Sequence, residues 1–222
     1  MMKLYNFGGS PFGWMARAAL AEKGLKYETV EPRDRDKNPE LRQLNPINKT
    51  PTLVDDGRSV FESFAVLEYL DEKYPNPPLM PKDPVERARA RAMCLLGYLY
   101  IGAEHRTVVM QLFDWDKWDA KTMVYPSRRP AESVDQSIVG PAEERLLNHW
   151  RILDQELATR SWATGPMFGI ADIVLTPMAA GYKLRGGPIA EVPHVAKWLE
   201  ACLARPSMKE TATPLVKRGT PV

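Results

Sequence analysis

The stretch Tyr74-Pro75-Asn76-Pro77-Pro78-Leu79-Met80-Pro81 constrains this chain more than any other segment. Proline has no amide hydrogen and its ring blocks the preceding turn, so a run this rich in proline can neither continue a helix nor occupy a central strand. The segment around 76–82 therefore reads as a linker, with one folding unit at 1–75 and a second at 83–222. The patterns on its two sides differ in kind.

Before the linker, short strands alternate with helices. Lys3 to Phe7 reads as a strand that Gly8-Gly9 breaks. Ser10-Pro11 then starts a helix, with Ser as N-cap and Pro at the first helical position. Phe12, Met15, Ala16, Ala19 and Leu20 form one apolar face of that helix, and Gly24 ends it. Tyr27 to Glu31 reads as a second strand, and a polar stretch through Asp34, Asp36 and Lys37 leads to a short helix around Pro39–Leu44. Thr52-Leu53-Val54 and Ser59-Val60-Phe61 flank Asp56-Gly57, whose tolerance of positive φ predicts a hairpin. Ser63, Val66, Leu67, Leu70 and Tyr74 share a helical face. The order βαβαββα implies a small sheet of mixed strand direction.

Beyond the linker the signals are helical. Asp83 and Glu86 make a capping-box pattern with Pro84 at the first helical position, opening a helix that can run to about Phe113. Further helices are expected at Pro141–Thr159, Ile170–Leu184 and near His194–Ala204, with a short one after Pro206. Asp114–Gly140, carrying Trp115, Trp118, Tyr125 and Pro130, is a long connection. The fold class is α+β.

Composition excludes several functions. With 44% hydrophobic and 26% charged residues, the 222-residue chain falls in the range of soluble globular proteins. A formal charge of +2 gives no electrostatic case for nucleic acid as the partner. The N-terminus has no apolar signal segment, and no run of the sequence suits a membrane span, so a soluble cytoplasmic protein is expected. Cys94 and Cys202 lie in apolar helical runs and read as buried free thiols. His105, His149 and His194 lack metal-ligand spacing, so no metal is expected. Arg87, Arg89 and Arg91 read as a solvated or dimer-facing helix edge.

Four motifs now stand in order: Ser10-Pro11-Phe12, Asn45-Pro46-x-x-Lys49-Thr50-Pro51, Phe61-Glu62-Ser63, and Ala88–Met93 after the linker. Together with Phe168-Gly169-Ile170-Ala171-Asp172, they resemble the cytosolic glutathione transferase family over nearly the whole chain. The likeness is to its serine-type classes, with some to the plant tau class. The resemblance implies a thioredoxin-like N-terminal domain, an all-helical C-terminal domain and glutathione as co-substrate. It also implies detoxification and a homodimer. Where the family ordinarily has Ser or Thr, this chain has Gly169, which leaves only the Asp172 half of a capping box.

The site residues follow from that resemblance. A free thiol ionises near pH 8.5, so a transferase must stabilise the thiolate; two units of lowering require roughly 2.7 kcal/mol, at 1.36 kcal/mol per unit. A hydroxyl donor beside a helix N-terminus can supply an effect of that order. Ser10 is the catalytic candidate, although it also serves as an N-cap. Tyr5 is the competing hydroxyl. The family keeps Pro51 in cis, so that Thr50 pairs with the cysteinyl unit through its backbone. Ser63 and the helix start would receive the γ-glutamyl carboxylate, and Glu62 its ammonium. Lys49, Lys37 and Asn48 would meet the glycyl end. Phe12, Trp14, Tyr98, Met110, Phe113 and Trp115 are candidates for the wall that holds a small hydrophobic electrophile between the domains. The competing readings are a non-catalytic binding protein on the same fold, and a glutathione-dependent lyase or dehalogenase sharing the same site residues.

Overall fold

The computed structural model describes residues 1–32, 38–117 and 127–213. Strands β1 (Lys3–Tyr5), β2 (Glu28–Val30), β3 (Thr52–Asp55) and β4 (Arg58–Phe61) form one sheet in the order β2-β1-β3-β4. β1 and β2 are parallel, while β3 runs antiparallel to β1 and to β4. With helices α1 (Pro11–Glu22), α2 (Pro39–Leu44) and α3 (Ser63–Lys73), this is the thioredoxin-like arrangement.

Local chemistry sets the boundaries. Gly24 at φ 62° ends α1 by letting Leu25 N–H reach Leu20 O at 3.0 Å and Gly24 N–H reach Ala21 O at 3.0 Å. Asp56 and Gly57, at φ 49° and 76°, make the expected hairpin turn. The helical domain contains α4 (Pro84–Leu95), α5 (Gly102–Leu112), α6 (Gln136–Leu157), α7 (Ile170–Leu184), α8 (Pro193–Ala204) and α9 (Pro206–Thr211). Between α4 and α5 the chain stays helical but winds as a π-helix over Leu96–Ile101. α6 begins five residues before the expected Pro141. Asp135 accepts from Ser137 N–H at 2.9 Å and caps the helix there, and Pro141 falls inside it.

A continuous core joins the domains. Trp14 and Met15 of α1, Leu67 of α3 and Val174 and Leu175 of α7 are buried in the same cluster. The chain then closes on itself: Trp14 Nε1 donates to Met208 O at 3.1 Å, and Arg205 pairs with Glu22 at 3.0 Å. The linker is tied down as well. Lys23 Nζ donates to Asp71 and to Pro77 O, both at 2.6 Å, and Asp71 also accepts Leu79 N–H.

The glycine at position 169 has a steric cause. A side-chain carbon there would stand 2.1 Å from Leu79 O and 2.9 Å from Thr164 Cγ2. The linker carbonyl that takes Ile170 N–H at 2.9 Å occupies the space a Ser or Thr would need. Asp172 is wholly buried and compensates. It accepts from the N–H groups of Ala163 (2.8 Å), Thr164 (3.2 Å) and Gly169 (3.0 Å), and from Trp198 Nε1 (2.7 Å). Burial raises its pKa, and these donors oppose the rise.

Candidate active site

Sheet register brings three motifs to one edge. Tyr5 pairs with Thr52, and Thr52 with Phe61. The residues just beyond these positions are Asn6 to Ser10, Thr50-Pro51 and Glu62-Ser63, so all three emerge from the same end of the sheet. The Thr50–Pro51 bond is cis. Glu62 holds φ 67°, a left-handed conformation unusual for a residue with a side chain, as the chain turns from β4 into α3. Glu62 is exposed, and Ser63 directly after it is buried.

Ser10 stands at the start of α1 with extended backbone, and its Oγ accepts Gly13 N–H at 3.2 Å. Its hydroxyl proton is donated to no described group, so capping leaves the donor available. The loop in front of it is pinned by Arg17, whose guanidinium donates to Phe7 O at 3.3 Å and Gly8 O at 3.0 Å. Arg17 also donates to Thr211 O, carrying the constraint to the end of α9. Gly13 is required by close approach: a Cβ there would lie 1.7 Å from Asn6 Oδ1, which is buried without a partner among the described residues. A glycine inside the first turn of a helix was the visible signal for this contact. Asn6 and Arg17 gave none.

Tyr5 is differently placed. It is buried, and its hydroxyl donates to Glu40 Oε1 at 2.5 Å. Burial, with Glu40 adding to it, pushes the phenol up to about 12. Asn45, also buried, organises the loop toward Pro51. Its side chain donates to Lys49 O at 2.9 Å and accepts Ile47 N–H at 2.9 Å, while Thr52 Oγ1 donates to the same Lys49 carbonyl. Lys49 is exposed, and Asn48 is half-buried with φ 55°. Lys37 lies outside the described residues.

The expected hydrophobic wall divides. Phe12 is 41% exposed and stacks on Tyr98, with ring centroids 6.1 Å apart and planes 11° from parallel. Met110 is exposed on α5, and Trp115 folds back so that its Nε1 donates to Val109 O at 2.8 Å. Trp14 and Phe113 are corrections: both are completely buried, Trp14 against α9, and neither offers a face to a ligand. Helical spacing marked them as apolar, but burial within the core rather than at its rim is a tertiary property.

Residues 4–78 match the family model for the glutathione S-transferase N-terminal domain, and residues 86–201 that for the C-terminal domain. The chain belongs to the glutathione S-transferase family. Among curated relatives, glutathione S-transferase U26 of Arabidopsis thaliana is 30% identical over 92% of this chain and 86% of its own. Maleylacetoacetate isomerase of Pseudomonas aeruginosa is 29% identical over 99% of both chains. A glutathione S-transferase from Methylobacillus flagellatus, solved with glutathione bound, superposes with a TM-score of 0.76 at 26% identity, covering 96% of this chain and 99% of that one. Glutathione is thus the co-substrate of the family. Among the described residues, no group of three or more His, Cys, Asp or Glu could hold a metal ion, and no helix is long and apolar enough to cross a membrane.

Proposed function

We propose that this protein transfers the thiolate of glutathione to an electrophilic carbon of an apolar second substrate. One observation carries the reading. Ser10 keeps a free hydroxyl proton at the positive end of α1, while the rival Tyr5 spends its proton on Glu40. In this reading Ser10 donates to the sulfur and holds it ionised. A carbon–sulfur bond forms, and the displaced electron pair departs with a leaving group or, where the carbon belongs to an activated double bond, moves from that π bond onto the conjugated carbonyl and takes up a proton. Thr50 pairs with the cysteinyl unit beside Pro51. Glu62 takes the γ-glutamyl ammonium and Ser63 the adjacent carboxylate, with Lys49 and Asn48 toward the glycyl end. Phe12, Tyr98, Met110 and Trp115 form the apolar wall. Calorimetry with glutathione, paired with conjugation of a general aryl halide, tests the proposal. Binding with turnover supports it; binding without turnover rejects transfer and leaves a non-catalytic binding protein or the isomerisation described next.

A second reading is favoured by the full-length likeness to the Pseudomonas aeruginosa isomerase. In this reading the thiolate adds to a double bond and is expelled again, so glutathione is recovered unchanged after cis–trans conversion. Incubation with a cis-enone diacid separates this from transfer, because only transfer consumes the thiol.

A homodimer also belongs to the proposal. Ala88, Ala92, Leu95 and Leu99 leave an apolar strip exposed along α4 and the π-segment, with Leu95 at 45% and Leu99 at 60% exposure. The protein would act in the cytoplasm, where reduced glutathione is available; Cys94 and Cys202 are both free.

A further inference from the structure

Tyr98 belongs to the helical domain, yet its hydroxyl lies 2.6 Å from Ser63 Oγ at the start of α3. Its position depends on the π-wound segment. Wider winding shifts the side-chain register relative to an α-helix, and such segments recur at functional sites. Gly97 makes the approach possible, since a Cβ there would already stand 3.1 to 3.4 Å from Leu175, Val174 and Met178 of α7. The ring of Tyr98 is held between Phe12, with which it stacks, and Phe64, tilted at 55° with centroids 6.1 Å apart. The hydroxyl also lies 3.3 Å from Met15 Sδ.

The direction of the hydrogen bond decides what Ser63 can offer. A serine hydroxyl has one proton. If Tyr98 donated to Met15, Ser63 would give its proton to Tyr98 and have none for a ligand. Thioether sulfur is a weak acceptor, so the stronger arrangement has Tyr98 donating to Ser63 and Ser63 donating outward. A carboxylate at the α3 start completes that chain, and each bond polarises the next. Tyr98 stays a neutral donor throughout, because burial raises its pKa.

We infer that Tyr98 is a positioning residue for glutathione: it orients the Ser63 hydroxyl toward the γ-glutamyl α-carboxylate while its ring supports the Phe12 wall of the second subsite. This rests on the proposed glutathione site. It moves Tyr98 from a wall contact to a link between the two subsites.

Tyr98→Phe tests it, since that variant keeps the ring between Phe12 and Phe64 and removes only the hydroxyl. Calorimetry is run with glutathione and with 4-aminobutyryl-cysteinyl-glycine, which lacks the α-carboxylate. The expected result is a roughly three- to tenfold loss of affinity for glutathione, the size of one hydrogen bond, and no change for the analogue. The KM for glutathione should rise with kcat nearly kept. In a Ser63→Ala background, Tyr98→Phe should cost nothing further. Equal losses for both ligands would mean a structural role only and overturn the inference, as would unchanged glutathione affinity. If the unsubstituted protein binds neither ligand, the site assignment itself fails and takes this inference with it.

Discussion

Tyr5 of β1 donates its phenolic proton to Glu40 of α2 at 2.5 Å, so in the proposed reaction this rival hydroxyl is already committed. Tyr5→Phe should therefore leave conjugation turnover within about twofold. Its cost should appear in stability, at about 1 kcal/mol for one lost partly buried hydrogen bond. Steady-state kinetics and urea unfolding measure the two. A tenfold fall in turnover would return the catalytic role to Tyr5.

Ser10 carries a cap and a proposed donor in one hydroxyl, and two substitutions separate them. Ser10→Ala loses both, so turnover should fall tenfold or more and stability by about 1 kcal/mol. Ser10→Asp keeps an acceptor for Gly13 N–H but sets a negative charge beside the sulfur. It should fold with nearly unchanged stability and still lose turnover. Thermal melts beside a conjugation assay distinguish these outcomes; an active Ser10→Asp variant would sink the donor role.

Glu62 is exposed and adopts φ 67°. Glu62→Ala should weaken glutathione binding through loss of the ammonium partner, while Glu62→Gly relaxes the backbone and loses the same charge. Both should raise the dissociation constant by a comparable factor if the carboxylate matters. Unaltered binding in the two variants would reject the assignment.

Gly169→Ser places a serine where the family ordinarily has Ser or Thr, and here it should destabilise the fold. The new Cβ would meet Leu79 O at 2.1 Å, so overpacking of about 1–3 kcal/mol outweighs any restored cap. Denaturant midpoints decide it. A stabilised Gly169→Ser variant would show that the linker carbonyl moves aside cheaply.

His105 sets a pH dependence. Burial, reinforced by the Arg185 charge, lowers its pKa to about 3, and Nδ1 is buried without a partner among the described residues. The unfolded imidazole titrates near 6.5, so between about 6.5 and 3 the unfolded state binds more protons than the native one. Stability should therefore fall as pH drops through that window, approaching 1.4 kcal/mol per unit from this residue alone. His105→Gln should flatten the slope in acid unfolding measured from pH 7 to 4.

Much of this was legible locally. The Ser10-Pro11 start, the Gly24 stop, the Asp56-Gly57 turn and the order of elements along the chain depend on the φ preferences and hydrogen-bonding groups of neighbouring residues, which the sequence states directly. The meeting of Ser10, Pro51 and Glu62 at one end of the sheet followed from motifs at the strand ends. Helix α6 shows the limit: Pro141 looked like a first-turn residue, but the Asp135 cap starts the helix earlier.

The sequence by itself determined the βαβαββα order, the break at the proline-rich segment and the identity of the residues at the sheet edge, because each depends on short-range sterics and backbone hydrogen bonding. Only the tertiary structure decided that Tyr5 is committed to Glu40, that Trp14 and Phe113 are core rather than wall, and that Tyr98 crosses from the helical domain to Ser63. Those outcomes turn on which surfaces meet between elements 35 to 194 residues apart in the chain. Hydropathy and spacing encode that a residue is buried, but the packing of one helix on another selects its partner.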